Sequence, residues 1–144
     1  MISREDLGFL LAKASQRWNE LLAERFAEAG FPEVRPSYGS ILVPLFEEDG
    51  LRLGEIARRA RLSKQTMTTM VRLLERAGLV ERRPDPLDGR ATLVFLTPRA
   101  RSFRPVAEAT LTDLARRSRR LLGATNADTV SNALVQLADL DRGD

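Results

Sequence analysis

Apolar residues recur at helical spacing along the first thirty residues of the chain. The positions are Leu7, Leu10, Leu11, Ala14, Trp18, Leu21, Leu22 and Phe26. This spacing predicts a long amphipathic helix that starts at Ser3, with Asp6 as its capping-box partner, and stops at Gly30. A shorter helix is predicted over residues 36–46, and Pro44 is expected to bend it or end it early.

Two short helices separated by a very short break are predicted next. The first covers residues 53–60, and the second runs from Ser63, a good N-cap, to Gly78, a natural terminator. Their inward positions are Leu53, Ile56, Ala57 and Ala60 in the first helix and Met67, Met70, Val71 and Leu74 in the second. Two short helices with a tight joint are typical of a helix-turn-helix.

The hydrophobic period then changes to that of β-strands. The segments LVERR at 79–83 and TLVFLT at 92–97 follow this period, and PDPLDGRA lies between them. The pattern predicts a β-hairpin with a long tip. Thr97 and Pro98 are typical of the start of a further helix, and a last helix is predicted after Gly123. The fold is therefore predicted to be mainly α, with a small β-hairpin.

Composition removes several classes of chemistry. The 144 residues include no cysteine and no histidine, so disulfides, thiolate or imidazole metal sites and Cys-His or Ser-His catalysis are excluded. The densest acidic group, Glu47, Glu48 and Asp49, falls in a turn beside Gly50, where solvated loop acids are expected. With no phosphate-binding glycine loop and no metal-ligand spacing, the sequence predicts no enzyme, no cofactor and no metal.

The length and composition suit one globular, cytoplasmic protomer. The chain has no run of about 18 apolar residues and no secretory leader, so no membrane partner is expected. Residues 51–90 hold ten basic and five acidic residues, whereas residues 1–50 hold five basic and nine acidic residues. A basic segment of this kind suits a polyanion, although the charges fit a solvated, salt-bridged surface equally well.

The predicted helix after Ser63 presents a polar face opposite its apolar stripe. That face carries Lys64, Gln65, Thr68, Thr69 and Arg72, and the last four follow i, i+3, i+4 and i+7 spacing. In a DNA major groove, Arg72 suits guanine, Gln65 suits adenine and threonine methyl groups suit thymine. The alternative is that these polar residues only solvate an exposed helix. Three threonines weaken that alternative, because threonine is a poor helix former.

The PDPLDGR segment combines a sharp bend with opposite charges. Two prolines and a glycine fix the bend, with Asp85 and Asp88 on either side of it and Arg90 beyond. A carboxylate beside Arg90 holds the guanidinium rigid and leaves its outward donors free. An arginine held in this way at a hairpin tip suits a narrow minor groove, next to the major groove that the helix occupies. The alternative is a self-contained surface salt bridge of little energetic consequence.

Residues 53–97, LGEIARRARLSKQTMTTMVRLLERAGLVERRPDPLDGRATLVFLT, resemble the MarR family of winged-helix transcriptional regulators. The resemblance covers the helix pair, the LERAGLVER transition, the DPLDGR wing and the closing LT. It implies a homodimer on double-stranded DNA at a pseudo-palindromic operator, with the first helix and the last two helices of each chain intertwined. Members usually repress until a small, often aromatic or anionic, ligand reshapes the dimer.

The resemblance divides the chain into three parts. It implies a winged helix-turn-helix over 35–97, an N-terminal dimerisation helix over 1–34 and C-terminal dimerisation helices over 98–144. The apolar faces of the terminal helices, exposed on a monomer, would then be shared across a two-fold axis. Dimer symmetry predicts two half-sites about 10 base pairs apart.

The resemblance also assigns residues position by position. The family's base-reading helix falls on residues 63–78, which adds Ser63 and Thr66 to the DNA-binding candidates. Its minor-groove arginine falls on Arg90, with Asp88 and Asp85 as the acids that orient the wing.

A ligand site is implied between the dimerisation helices and the winged helix. Arg17, Trp18 and Tyr38 are candidates for binding an aromatic acid there, although core packing alone also explains Trp18 and Tyr38. Without cysteine the chain cannot be a thiol-switched regulator, and with neither cysteine nor histidine a zinc sensor is not indicated. Two alternatives stay open: a DNA binder that senses no ligand, and a winged helix used for protein contact.

Overall fold

The computed structural model describes residues 1–141, which form six α-helices, one short 3-10 helix and a three-stranded sheet. In chain order these are α1 (Leu7–Glu28), the 3-10 helix Pro36–Tyr38, α2 (Gly39–Glu47), β1 (Leu51–Arg52), α3 (Leu53–Ala60), α4 (Lys64–Arg76), β2 (Val80–Asp85), β3 (Asp88–Leu96), α5 (Pro98–Leu122) and α6 (Ala124–Ala138). The predicted mainly α fold with a small β-hairpin is confirmed. The chain separates into two compact units that divide between Ala107 and Glu108, inside α5. No helix within residues 1–141 combines the length and apolar character that crossing a lipid bilayer requires.

The chain before α1 forms a turn where a first helical turn was predicted. The Asp6 carboxylate accepts the Ser3 backbone N–H at 2.7 Å, and the Ser3 hydroxyl oxygen accepts the Glu5 N–H at 3.1 Å. These are the contacts of the predicted capping box, because both N–H groups would lack an acceptor inside a helix. The predicted partnership of Ser3 and Asp6 is confirmed, but the predicted helix start at Ser3 is wrong, because α1 begins at Leu7 with Asp6 in the N-cap position.

The predicted stop of the first helix at Gly30 is confirmed. Gly30 has a φ of +93°, a left-handed conformation that glycine adopts without steric cost, and the Phe31 N–H donates to the Phe26 carbonyl oxygen at 2.8 Å. The chain reversal brings both phenylalanine rings onto Phe103 of α5, with centroid distances of 4.7 Å for Phe26 and 5.3 Å for Phe31. The end of α1 is thereby packed against the start of α5.

Pro44 lies inside α2 and does not end it. The helix continues to Glu47, and the Glu48 N–H donates to the Pro44 carbonyl oxygen at 2.9 Å. The prediction of an early end is wrong, because proline removes a single N–H and Pro44 is buried in α2, as Leu42 and Leu45 are. Burial of each of these leucines contributes about 1.5–3 kcal/mol, which outweighs one lost hydrogen bond.

Helices α3 and α4 form the predicted helix-turn-helix. Arg61, the C-cap of α3, has a φ of 56° and turns the chain sharply towards Ser63. A left-handed conformation at a non-glycine residue costs about 1–2 kcal/mol. Ile56 of α3 and Met67 and Leu74 of α4 are completely buried, so the shared core of the two helices offsets that cost.

The three antiparallel strands form a wing in the order β1-β3-β2. Strands β2 and β3 remain paired out to Asp85 opposite Asp88, beyond an irregularity at Pro84. Only Pro86 and Leu87 form the turn between them, so the predicted long tip is wrong. Exposed residues can extend the two strands because the backbone hydrogen bonds between strands do not require alternating apolar side chains.

The second compact unit contains the last part of α5 and the whole of α6. A last helix after Gly123 is confirmed, and Gly123 itself occupies the N-cap position. Leu114 and Ala127 are buried, whereas Leu121 is 85% exposed and Leu134 is 46% exposed. A single chain therefore leaves part of the predicted apolar face of this unit uncovered.

Candidate nucleic-acid interface

Helix α4 is capped and anchored so that one face is left to solvent. The Ser63 hydroxyl oxygen accepts the Thr66 N–H at 3.1 Å, and the hydroxyl group donates to Thr66 Oγ1 at 2.8 Å. This cap satisfies a donor of the first helical turn. Met67, Val71 and Leu74 are at most 1% exposed and hold the helix to the core. Ser63 and Thr66, both predicted DNA contacts, form the cap and remain exposed.

Four predicted DNA-binding side chains lie on the side of α4 away from its buried stripe, and a fifth, Lys64, lies in the first turn. Lys64, Gln65, Thr69 and Arg72 are exposed, and Thr68 is half-buried. The Thr68 hydroxyl donates to the Lys64 carbonyl oxygen at 2.9 Å, and the Thr69 hydroxyl donates to the Gln65 carbonyl oxygen at 3.2 Å. Because each hydroxyl has a single proton, both threonines offer a methyl group and an acceptor oxygen to a ligand.

Some basic residues of the segment 51–90 form ion pairs with carboxylates, and others do not. The residues paired with a carboxylate are Arg52, Arg58, Arg59, Arg82 and Arg83. Four other basic residues of the segment, Lys64, Arg72, Arg76 and Arg90, make no ion pair within residues 1–141. These unpaired cations all belong to α4 and the wing, so part of the positive charge of the segment is concentrated there.

Arg76 is a candidate that the sequence reasoning missed. It is exposed and follows Thr69 and Arg72 at i+7 and i+4, so it extends the polar face of α4 by one turn. The spacing was visible in the sequence. What could not be read there is that Arg76 makes no ion pair within residues 1–141, whereas Arg82 is held by Glu75 at 3.1 Å.

Arg90 lies on the wing with an exposed side chain. The Asp88 carboxylate accepts the Arg90 backbone N–H at 3.1 Å, so the prediction that a carboxylate holds the Arg90 guanidinium is wrong. The Arg90 guanidinium makes no hydrogen bond or ion pair within residues 1–141. Asp88 therefore shapes the backbone at Arg90 and leaves all the guanidinium donors available.

Asp85 binds Arg52 of β1 and makes no hydrogen bond or ion pair with Arg90 within residues 1–141. Its Oδ2 accepts Nε and Nη2 of Arg52 at 3.0 and 2.7 Å, and its Oδ1 accepts the Leu87 N–H at 2.9 Å. The Leu87 N–H, followed by the Arg52 guanidinium, lowers the pKa of the Asp85 carboxyl below its usual 3.8 although burial opposes the shift. The carboxylate is thus held in its charged form at the turn.

Glu48 and Glu55 form an ion-pair cluster on α3 and the turn that precedes β1. Glu55 accepts from Arg58 at 2.5 and 3.0 Å and from Arg59 at 2.9 Å, and Arg59 also donates to Glu48 at 2.8 Å. These hydrogen bonds, that of Arg58 first, lower the pKa of Glu55 from its usual 4.5 to about 2. Glu48 is thus an exposed loop acid, as expected, and in addition pairs with Arg59.

Asp49 is also exposed in the turn, and its carboxylate joins three elements. Its Oδ1 accepts the N–H of Gly50 at 3.0 Å and of Leu96 at 2.9 Å, and its Oδ2 accepts Arg101 Nη2 at 2.9 Å. The turn before β1, the end of β3 and the start of α5 thus meet at one carboxylate. Asp followed by Gly identifies a turn in the sequence, but the partners lie 47 and 52 positions away.

The three predicted ligand-binding residues lie in different settings. Arg17 is exposed and pairs with Glu20 at 3.3 Å, Trp18 is 36% exposed on α1, and Tyr38 is 7% exposed. Within residues 1–141, no hydrogen bond or ring contact joins Arg17, Trp18 and Tyr38 to one another. Only Arg17 and Trp18 are accessible on the single chain.

The sequence profile of the MarR family matches residues 36–92, which span the 3-10 helix, α2 to α4 and most of the wing. An HTH-type transcriptional regulator, TtmR, from Methylorubrum extorquens (strain PA1) is 39% identical over 69 residues, which make up 48% of this chain and 35% of that protein. The matched part of this chain therefore spans about a third of the length of that relative.

Solved structures match over almost the whole chain. A probable transcriptional regulator from Pseudomonas aeruginosa has a TM-score of 0.78 and 28% identity, covering 92% of this chain and 97% of that chain. The transcriptional repressor CouR, solved bound to a 23-mer DNA duplex, has a TM-score of 0.78 and 26% identity, covering 96% of this chain and 99% of that chain. The likeness thus extends beyond the winged helix to the flanking helices.

Proposed function

Because the chain belongs to the MarR family of winged helix-turn-helix transcription regulators, we propose that it is a sequence-specific DNA-binding repressor. It acts as a homodimer on a pseudo-palindromic operator. The repressor CouR, which has the same fold at 26% identity, was solved on a DNA duplex. Double-stranded DNA is accordingly the proposed partner of this chain.

The exposed face of α4 is the observation that carries the proposal. Its apolar stripe is buried, and its outward face offers Gln65, Thr69 and Arg72 at a spacing that follows one side of the helix. A helix of this width enters the major groove, where Arg72 holds a guanine through two donors and Gln65 pairs with an adenine. Lys64 and Arg76, which make no ion pair within residues 1–141, contact phosphates at the two ends of the helix.

The wing supplies the second contact with DNA. Arg90 has an exposed guanidinium without a partner in residues 1–141, and the minor groove attracts such cations where it is narrow. Asp88 and Asp85 orient the wing by holding its backbone, since their oxygens accept the N–H groups of Arg90 and Leu87.

Uncovered apolar residues at both ends of the chain support the homodimer. Leu7 and Leu10 of α1 are 57% and 50% exposed, and Leu121 and Leu134 are 85% and 46% exposed. A second copy that shares these faces removes them from water, and a two-fold axis then sets two half-sites about 10 base pairs apart. The proposed division assigns residues 1–34 and 98–144 to dimerisation and 35–97 to DNA binding.

A small aromatic or anionic molecule is the proposed effector. Its support is the family resemblance together with two accessible side chains of α1, the Arg17 guanidinium, which also pairs with Glu20, and the partly exposed Trp18 ring; a cation and an aromatic ring are groups that bind an aromatic acid. Tyr38 is buried and contributes only if the dimer rearranges. We expect such a compound to release operator DNA from the wild type but not from an Arg17→Ala chain. If no such compound dissociates the operator complex, the protein is a ligand-independent DNA binder.

Selection from a random duplex library at about 150 mM salt tests the proposal, because purely electrostatic binding is weakened at that salt concentration. The expected result is an inverted repeat with half-sites one helical turn apart. Recovery of no motif by the folded protein would reject sequence-specific binding and favour the use of the winged helix for protein contact.

A further inference from the structure

The ion pair between Arg52 and Asp85 joins the two outer strands of the wing across β3. Arg52 lies on β1, in register with Leu93 of β3. Asp85 is the last residue of β2, the strand at the opposite edge of the sheet. The guanidinium donates from Nε at 3.0 Å and from Nη2 at 2.7 Å to one carboxylate oxygen, Asp85 Oδ2. Two donors from one planar group fix the direction as well as the position of the carboxylate.

The second carboxylate oxygen of Asp85 holds the turn. It accepts the N–H of Leu87, one of the two residues between β2 and β3, at 2.9 Å. The Asp85 side chain is 8% exposed, compared with 53% for Arg52, so the carboxylate is shielded from water. A shielded charge keeps its place only while its partners remain. The conformation of the wing tip therefore depends on a residue that lies 33 positions earlier in the sequence.

We propose that Arg52 is a positioning residue for the wing. It holds the Asp85 carboxylate, which holds the Pro86–Leu87 turn, and so presents Arg90 to the minor groove in one orientation. The Arg90 guanidinium has no partner within residues 1–141, so the backbone of the wing is what orients it. A loop that is already ordered in the free protein loses less conformational entropy when it binds DNA, so binding is tighter. This inference rests on the proposed function, because it gives Arg52 a part in the same interface.

A direct contact between Arg52 and a DNA phosphate is the competing role. The guanidinium is half exposed and has further donors. The two roles predict opposite effects of Asp85→Asn on DNA binding. If Arg52 contacts phosphate, Asp85→Asn removes a nearby negative charge and strengthens DNA binding. If Arg52 acts through Asp85, Asp85→Asn weakens binding as Arg52→Gln does.

The test compares dissociation constants on the selected operator for the wild type, Arg52→Gln, Asp85→Asn and the double variant, each with and without Arg90→Ala. Each single variant is expected to weaken binding about 3- to 10-fold, which is the effect expected when the wing turn must become ordered on binding. The double variant should bind no more weakly than either single variant, and both effects should vanish once Arg90 is alanine. Tighter binding by Asp85→Asn, or an undiminished Arg52→Gln loss in the Arg90→Ala chain, would overturn the proposal.

Arg58→Gln is the matched control, since Arg58 is also an exposed, ion-paired arginine of the basic segment but lies on α3. Any effect of Arg58→Gln should be the same with and without Arg90→Ala, and a loss that depends on Arg90 as strongly as that of Arg52→Gln would overturn the assignment to Arg52. If Arg52→Gln fails to fold, Arg52→Lys takes its place with the same expected result, because lysine keeps the charge and lacks the planar pair of donors.

Amide hydrogen exchange at Leu87 in the DNA-free protein separates this inference from the proposed function. Arg52→Gln should accelerate exchange of the Leu87 N–H, and unchanged exchange would overturn the positioning role even for a protein that binds its operator. A wild-type chain that selects no DNA motif overturns the proposed function instead. If Leu87 exchange is faster in Arg52→Gln than in that wild-type chain, the result still supports the hold of Arg52 on the turn.

Discussion

Replacing Gly50 with alanine is expected to destabilise the first compact unit through two separate costs. Gly50 has a φ of +70°, a left-handed conformation that costs an L-residue about 1–2 kcal/mol. A Cβ at this position would also lie 2.7 Å from Cε1 of Phe95, so the ring must swing away and lose its contact with the Arg83 guanidinium, now 4.4 Å from the ring centroid. Displacing this half-buried ring costs about 1 kcal/mol. The sum is about 2–3 kcal/mol, taking both costs together.

Gly78→Ala is the matched control for the Gly50 experiment. Gly78 has nearly the same φ, +76°, but nothing lies within 4 Å of its Cβ position, so it bears the backbone cost alone. Urea unfolding at one protein concentration should give Gly50→Ala a loss about 1 kcal/mol larger than that of Gly78→Ala. In a Phe95→Leu chain, Gly50→Ala should fall to the Gly78→Ala value. Equal destabilisation by the two alanine variants in the wild-type background would refute the steric reasoning.

Arg72→Ala is expected to weaken operator binding by about 1–3 kcal/mol and to relax preference at one position per half-site, measured by titration against a panel of mutated operators; equal weakening on all sequences would reduce Arg72 to a phosphate contact. Thr69→Val, which keeps the methyl group, should retain the loss of affinity caused by replacing thymine with deoxyuridine, whereas Thr69→Ser should lack it, and the reverse order would exclude a methyl contact. Asp88→Ala should act as a milder Arg90→Ala although it removes a negative charge near DNA, because Asp88 accepts the Arg90 N–H; tighter binding would contradict this role. Glu55 has its pKa lowered from 4.5 to about 2, so its contribution to stability is complete above about pH 4.5 and is lost as the pH falls towards 2. Glu55→Gln should therefore flatten the stability curve in that window when unfolding is followed by circular dichroism, and an unchanged curve would argue against the contribution of this cluster.

The helix-turn-helix could be predicted because its signals are local. Ser63 caps the helix that follows it, Gly78 has the positive φ of a terminator, and the apolar spacing between them matches the buried stripe. Each of these features depends on residues within a few positions of one another. The same locality explains the partial success at Ser3, where the predicted contact between Ser3 and Asp6 forms but the helix begins only at Leu7.

The network of side chains around the wing could not be predicted, because its partners are distant in the sequence. Arg52 and Asp85 are 33 positions apart, and Asp49 and Arg101 are 52 positions apart. Composition indicates how many charges there are but not which of them pair. That distinction is the one that separates Arg76 from the paired arginines of the same segment. The contact between Arg52 and Asp85 becomes visible only once the fold brings β1, β2 and β3 together.

Dimethyl sulfate protection on the selected duplex tests the central claim most directly, because the reagent methylates guanine N7 in the major groove and adenine N3 in the minor groove. If α4 reads bases in the major groove and Arg90 enters the minor groove, guanine N7 inside each half-site and adenine N3 beside it should both be protected. Arg90→Ala should remove the adenine protection and leave the guanine protection in place. Guanines that stay fully reactive within the half-sites while the protein remains bound would contradict the account.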